Sequence, residues 1–244
     1  MKHAVAVSPH LDDAVFSAGG TIAALVAEGW RVTVVTCFTA GVPDPSPFAL
    51  STQLDKGLGA DVDYMALRRA EDAAACAVLG AVPEHLPLPE APHRGYTSAP
   101  DLFAGVHADD AVAGPLAGLL APRLSGADLV LAPQALGDHA DHRVVVDVVV
   151  GLAGDAWWWR DAPYHWRRPG AAPWTAVPEG REHAVDVTAH LSAKTAAARC
   201  YATQLGFQFG GADAVGPALA AVGPERFRVP RVGAPGGRAV ALGP

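Results

Sequence analysis

The chain has 244 residues, half of them hydrophobic and 18% charged, with a formal net charge of −7. That length and composition provide for one buried α/β core, read as a single domain over 1–244. The acidic balance excludes an electrostatic footprint for nucleic acid or an anionic membrane, since the basic pairs Arg68-Arg69 and Arg167-Arg168 are isolated.

Cys37, Cys76 and Cys200 are widely spaced and form no C-x-x-C pair, which favours a reduced compartment over a disulfide framework. The apolar run 4–7 is too short for a signal-peptide core and Asp12-Asp13 follow at once. No uninterrupted apolar segment is long enough to span a bilayer. The expectation is a soluble, cytoplasmic protein without membrane insertion.

In chain order, residues 4–7 predict a buried strand ended by Ser8-Pro9. Gly19-Gly20 open a predicted helix that stops at Gly29, and the β-branched run 31–38 predicts a second strand. Strand, helix and strand in this order predict a parallel sheet with a right-handed crossover. Residues 41–63, with Pro43, Pro45, Pro47, Gly57 and Gly59, read as a long loop of the kind that is often functional. A helix is predicted over 65–79, ended by Gly80, and an irregular segment over 83–100, which holds five prolines. A helix over 111–120, a strand over 128–132, a polar loop over 133–142 and a helix over 143–152 follow. The remaining expectations are a strand over 156–160, a Pro/Gly-rich connection to Gly180, and a last clear helix over 190–204. The Gly/Pro-rich tail 233–244 is expected to be partly disordered. Trp157 and Trp159 share one strand face, as core or subunit-interface packing, which leaves a homo-oligomer open.

Pro9-His10-Leu11-Asp12-Asp13 sits just after the first predicted strand, and ligands bind at the carboxyl ends of strands in open parallel sheets. An imidazole and two carboxylates suit zinc. Adjacent Asp side chains point in different directions, so one can bind metal while the other faces the bound water. Capping of the following helix by Asp12 or Asp13 explains this segment equally well. A second segment, Gly137-Asp138-His139-Ala140-Asp141-His142, follows the strand over 128–132 and supplies a third ligand. A catalytic zinc keeps three protein ligands and an exchangeable position. Two such clusters at one end of one sheet favour a site over a solvated loop. His3, His85, His107, His165, His183 and His190 lack ligand-like neighbours and read as surface or loop residues.

The first segment with Ser17-Ala18-Gly19-Gly20, together with His139-Ala140-Asp141-His142, resembles the LmbE-like, or PIG-L, family of zinc-dependent N-deacetylases. Arg68-Arg69-Ala70-Glu71, Asp161-Ala162-Pro163-Tyr164, and Lys194 with Tyr201-Ala202-Thr203-Gln204 resemble further family motifs. Leu11 and Ala14 depart from the family's usual Pro and Glu; neither is a ligand position. The resemblance implies an α/β fold with a mainly parallel, Rossmann-like sheet and long loops over the strand ends. It implies that His10, Asp13 and His142 bind zinc, with another divalent metal as the alternative. Asp12 is then the general base and later the acid toward the leaving amine. His139, if protonated, stabilises the oxyanion, and Asp141 orients His139.

Arg68, His93, Arg94, Tyr96 and Tyr164, in or near predicted loops, are the candidate substrate contacts. An ion pair of Arg68 with Glu71 or Asp72 explains that residue as well, and a solvated loop is the stronger reading of 93–96. The expected partner is a small-molecule N-acetylated amino sugar, and the expected reaction is removal of its N-acyl group. Two alternatives stand beside it: an amidase for a larger acyl or peptide-like amide, and a non-catalytic binding protein, which has no need of Asp12. A dinucleotide role is disfavoured because the first turn lacks G-x-G-x-x-G.

Overall fold

The computed structural model describes residues 1–230; the tail expected to be disordered at 233–244 lies outside the described residues. Among the described residues, seven strands form one sheet: β1 (His3–Ser8), β2 (Arg31–Phe38), β3 (Val82–Leu88), β4 (Leu129–Pro133), β5 (Trp157–Trp159), β6 (Gly180–Val185) and β7 (Glu225–Pro230). Their order is β3-β2-β1-β4-β5-β7-β6. The first five are parallel, while β7 runs antiparallel to both β5 and β6. The helices are α1 (Asp13–Ala27), α2 (Pro47–Leu54), α3 (Tyr64–Leu79), α4 (Ala99–Leu102), α5 (Ala113–Leu124), α6 (Ala140–Leu152), α7 (Tyr164–Arg167), α8 (Leu191–Arg199), α9 (Ala202–Phe209) and α10 (Ala212–Val222).

Alternation along the central strands builds two cores. Ala4, Ala6, Val32, Val34, Leu129 and Leu131 face one side, where α1, α3 and α8 pack. Val5, Val7, Val35, Cys37, Val130 and Ala132 face the other, which α5 and α6 cover. A parallel sheet buried on both faces reads as continuous apolar runs, as β1, β2 and β4 do. The tryptophan triplet obeys the same period: Trp157 and Trp159 enter the first core and Trp158 the second. Chain order reverses direction at β1, which pairs with β2 on one side and β4 on the other. The crevice between the carboxyl ends of β1 and β4 is therefore the switch point where open sheets bind ligands.

Several elements differ from expectation. The segment read as irregular over 83–100 contains β3, because Pro83 and Pro87 lie on the sheet's outer edge, where a missing N–H is tolerated. The long loop over 41–63 contains α2, capped by Ser46 with Pro47 at its first position. Gly19-Gly20 lie inside α1 rather than at its start; a Cβ on Gly20 would stand 2.5 Å from Val187 Cβ, so close packing requires glycine. The helix expected over 190–204 breaks into α8 and α9 at Tyr201, whose buried hydroxyl reaches Asp72 Oδ1 at 2.7 Å. His3, His85 and His183 sit in strands rather than loops. Among the described residues, no helix is long and apolar enough to cross a membrane.

Candidate metal centre and active site

Two loops deliver the site. The turn after β1 carries His10 and Asp12 into α1, whose first residue is Asp13. The turn after β4 leads to α6, which begins at Ala140, earlier than expected. The imidazole of His139 makes the difference: its Nδ1 accepts the backbone N–H of Asp141 at 3.2 Å and caps the helix. Asp141 and His142 thus lie in the first turn of α6, with its fixed geometry. Neither Asp12 nor Asp13 caps α1 through its side chain, which removes the capping explanation. Asp12 stands at φ 157°, ψ −31°, and Ala135 and Asp138 at φ 55° and 71°. Backbone strain of this kind gathers at functional sites.

His10, Asp13 and His142 converge on one point. Asp13 Oδ2 lies 3.3 Å from His10 Nδ1 and 3.2 Å from His142 Nε2. Ligand atoms about 2.0–2.2 Å from one tetrahedral zinc lie roughly 3.3 Å apart, so the spacing fits a shared ion. His142 Nε2 is buried without a hydrogen-bond partner, and a buried orphan of this kind calls for an explanation. A metal ligand is the fitting one, because the other nitrogen of each imidazole is already held. His142 Nδ1 meets Asp161 Oδ1 at 2.9 Å, and His10 Nε2 meets Asp141 Oδ2 at 2.8 Å. Carboxylates behind metal-bound histidines fix tautomer and orientation in this way. His10, His139 and Asp141 form a second cluster, but binding there would break the His10–Asp141 bond.

Asp141 therefore does a different job from the one expected. Its carboxylate holds His10, accepts the Ala91 N–H at 3.1 Å and pairs with Arg94 at 2.7 Å; only its backbone N–H touches His139. Burial and the positive neighbour His10 push His139 down to about 3. With Nδ1 accepting the Asp141 N–H, a proton on this ring sits on Nε2.

The other groups are also shifted. Burial lowers the His142 pKa, but the Asp13 and Asp161 carboxylates outweigh it and push it up to about 9. His10 is raised well above the usual value by Asp13 and Asp141 despite burial. Burial raises Asp12 to about 7, with Arg68 opposing and Asp13 reinforcing. Asp13 is held low by His142 and His10 against its burial. A metal ion must displace protons from both imidazoles, since only their neutral forms coordinate.

The remaining candidates divide. Arg68 pairs neither with Glu71 nor with Asp72. It meets Glu90 at 2.6 Å and the Leu11 carbonyl at 3.1 Å, and lies 3.6 Å from Asp12. His93 and Glu90 border a cavity of about 660 Å³ whose far wall is built by α2 and the turn before α3. Arg94 is not a solvated loop residue: Asp110, Asp141 and the Pro89 carbonyl saturate it. Tyr96 is buried, with its hydroxyl on Asp110 at 3.0 Å. Tyr164 packs on His142, ring centroids 5.5 Å apart. Glu90, Asp110 and the supporting role of Asp161 were not singled out from sequence. Asp161 has a usable signal, since it lies two residues past the end of β5, at the carboxyl end of the parallel strands.

Three convergent candidate ligands at a switch point, with the Asp12 carboxylate beside them, fit a metal-dependent hydrolase site. Residues 5–153 match the family described as GlcNAc-PI de-N-acetylase, PIG-L, and the chain belongs to that family of metal-dependent N-deacetylases. It is 36% identical over 170 residues to 2'-N-acetylparomamine deacetylase of Streptomyces fradiae, over 66% of this chain and 57% of that protein's length. The zinc-inhibited form of teicoplanin deacetylase superposes with a TM-score of 0.78 at 25% identity, covering 96% of this chain and all, 100%, of that one. The A40926 pseudoaglycone deacetylase does so at 0.76 and 28% identity, covering 95% and 98%.

Proposed function

We propose that this chain hydrolyses the N-acetyl group of an amino sugar or amino-sugar conjugate, using zinc held by His10, Asp13 and His142. The observation that carries the reading is the division of labour between neighbours: Asp13 completes the ligand set while Asp12, free of any capping bond, stands beside it. When bound there, zinc supplies Lewis acidity that acidifies water and polarises a carbonyl oxygen. Asp12 takes the proton from the attacking water and returns it to the leaving amine, the general-base and general-acid roles of one carboxylate. The Arg68 guanidinium, 3.6 Å away, holds Asp12 in place. His139 donates from Nε2 to the oxygen that gains charge as the tetrahedral centre forms. Asp141 and Asp161 keep the two ligand imidazoles in the coordinating tautomer, and Arg94 with Asp110 anchors Asp141 from behind.

Tyr164, Arg68 and His93 border the space where the sugar would sit, and the cavity beside Glu90 has room for a further ring. One sheet carries every described strand, which supports reading the chain as one catalytic domain. Its three free cysteines support a reducing, cytoplasmic setting.

The test is acetate release from a panel of N-acetylated amino sugars and conjugates, run beside N-acyl peptides. Acetate from at least one amino sugar is expected. Hydrolysis confined to peptide-like amides supports the amidase alternative, and turnover of nothing in the panel with metal bound supports the binding-protein alternative.

A further inference from the structure

Three aromatic contacts meet on the His139 side of the centre. Phe103 packs edge-on against His139, centroids 5.4 Å apart, and against Tyr164 at 6.4 Å. Tyr164 in turn rests on His142 at 5.5 Å. Gly137 makes the second layer possible, since a Cβ there would lie 2.5 Å from Tyr164 Cδ1. Phe103 follows the short helix α4 and leans on a small apolar cluster of Ala91, Tyr96, Leu102 and Ala140, the residue after His139. It is only half-buried, and the Arg168 guanidinium lies over its ring, 5.9 Å from the centroid.

The other flank has a different character. Arg68 and Glu90 stand on the Asp12 side, and beyond Glu90 lies the cavity of about 660 Å³. The centre is thus bounded by a closely packed, largely apolar wall on one side and, on the other, by a roomy cavity of mixed lining, in which Val42, Val62 and Met65 stand beside Asp61 and Glu90. An N-acetyl amino sugar has a matching asymmetry of size, with a one-methyl acyl end and a bulky ring or conjugate that needs room. Aligning the two puts the acyl methyl against Phe103 and the sugar toward Glu90.

We infer that Phe103 is the residue that sets acyl-chain length, its ring closing the apolar side of the centre so that acetyl fits and longer chains do not. This rests on the amide-hydrolase reading above. Its physical basis is the room a methylene needs: one added or missing methylene in an apolar pocket changes discrimination about 10–200-fold.

The test compares the zinc-loaded wild-type chain with Phe103→Ala and Phe103→Leu on N-acetyl, N-butanoyl and N-hexanoyl glucosamine. Calorimetric binding of acetate, butanoate and hexanoate is measured on the same preparations. In the wild type, kcat/KM should fall at least about tenfold from acetyl to hexanoyl. Phe103→Ala should raise the hexanoyl-to-acetyl ratio by at least about tenfold at unchanged zinc content, with Phe103→Leu between. Carboxylate binding should shift in the same order and needs no turnover, so it reads the wall even if every sugar fails as substrate. That failure would count against the deacetylase reading alone. An unchanged chain-length ratio in both variants and both assays overturns the role given to Phe103.

Discussion

Asp161→Asn removes one charge and almost no volume, yet it should loosen the metal centre. In the wild type Asp161 Oδ1 accepts the His142 Nδ1–H at 2.9 Å, while Oδ2 accepts the N–H groups of Gln134 and Leu136 at 3.0 and 3.1 Å. An asparagine has one acceptor where three donors converge. With its carbonyl toward His142, its amide NH₂ meets two backbone N–H groups; Gln134 keeps the Trp159 carbonyl at 3.0 Å, while Leu136 is left unsatisfied at about 1–3 kcal/mol. With its NH₂ toward His142, Nδ1 must accept, and the ring proton moves to Nε2, the atom that should bind metal. Both orientations weaken zinc, by about 10–100-fold as for other supports of metal-bound histidines, or about 1.4–2.8 kcal/mol. Competition against a chromophoric chelator at fixed pH gives the affinity, and thermal unfolding of the same protein reports the fold. A folded Asp161→Asn protein with wild-type zinc affinity would refute the assignment of His142 Nε2 as a ligand.

Asp12→Asn should keep zinc and lower kcat by roughly 10²–10⁴-fold, whereas Asp13→Asn should lose the metal; zinc content and steady-state kinetics on both variants check this. Arg94→Met leaves Asp141 buried with one partner fewer and should destabilise the protein by about 3–5 kcal/mol, read as a drop in denaturant midpoint. The metal-free protein should lose stability as pH rises. His142 goes from an ordinary 6.5 up to about 9 on folding, so its contribution is full below about 6.5 and lost through about 9. Thermal unfolding against pH should show that loss without zinc and a flatter profile with it. Replacing residues 41–63 with a short Gly/Ser linker should change which sugars are accepted while zinc stays bound, as a substrate panel with metal analysis would show.

Much of this is legible in the sequence alone. The β-branched run of β2 and the apolar runs of β1 and β4 mark strands buried on both faces, and their order fixes a parallel sheet. The ligand types after β1 and β4 then point to the crevice between them. What escaped was decided by distant partners. Pro83 and Pro87 hide a strand that is tolerated only because it lies at the edge. Tyr201 interrupts a helical pattern to reach Asp72, and β6 with β7 forms an antiparallel addition whose pairing the local pattern does not specify. Within the site, the roles of Asp141 and Arg94 turned on side-chain direction. Asp141 lies beside His139 in space, yet its carboxylate points to His10 and Arg94. Glu90 and Asp110 are ordinary acidic residues in sequence and acquire meaning only when Arg68 and Arg94 fold onto them.

The most direct test of the central claim is a zinc titration of the metal-free chain, followed by acetate release from an accepted N-acetylated amino sugar. Activity should be absent without metal, rise in proportion to added zinc and level off at about one equivalent, the capacity of a single three-ligand centre; His142→Ala should stay inactive throughout. Acetate release by the metal-free chain, or by His142→Ala at the wild-type rate, would contradict it.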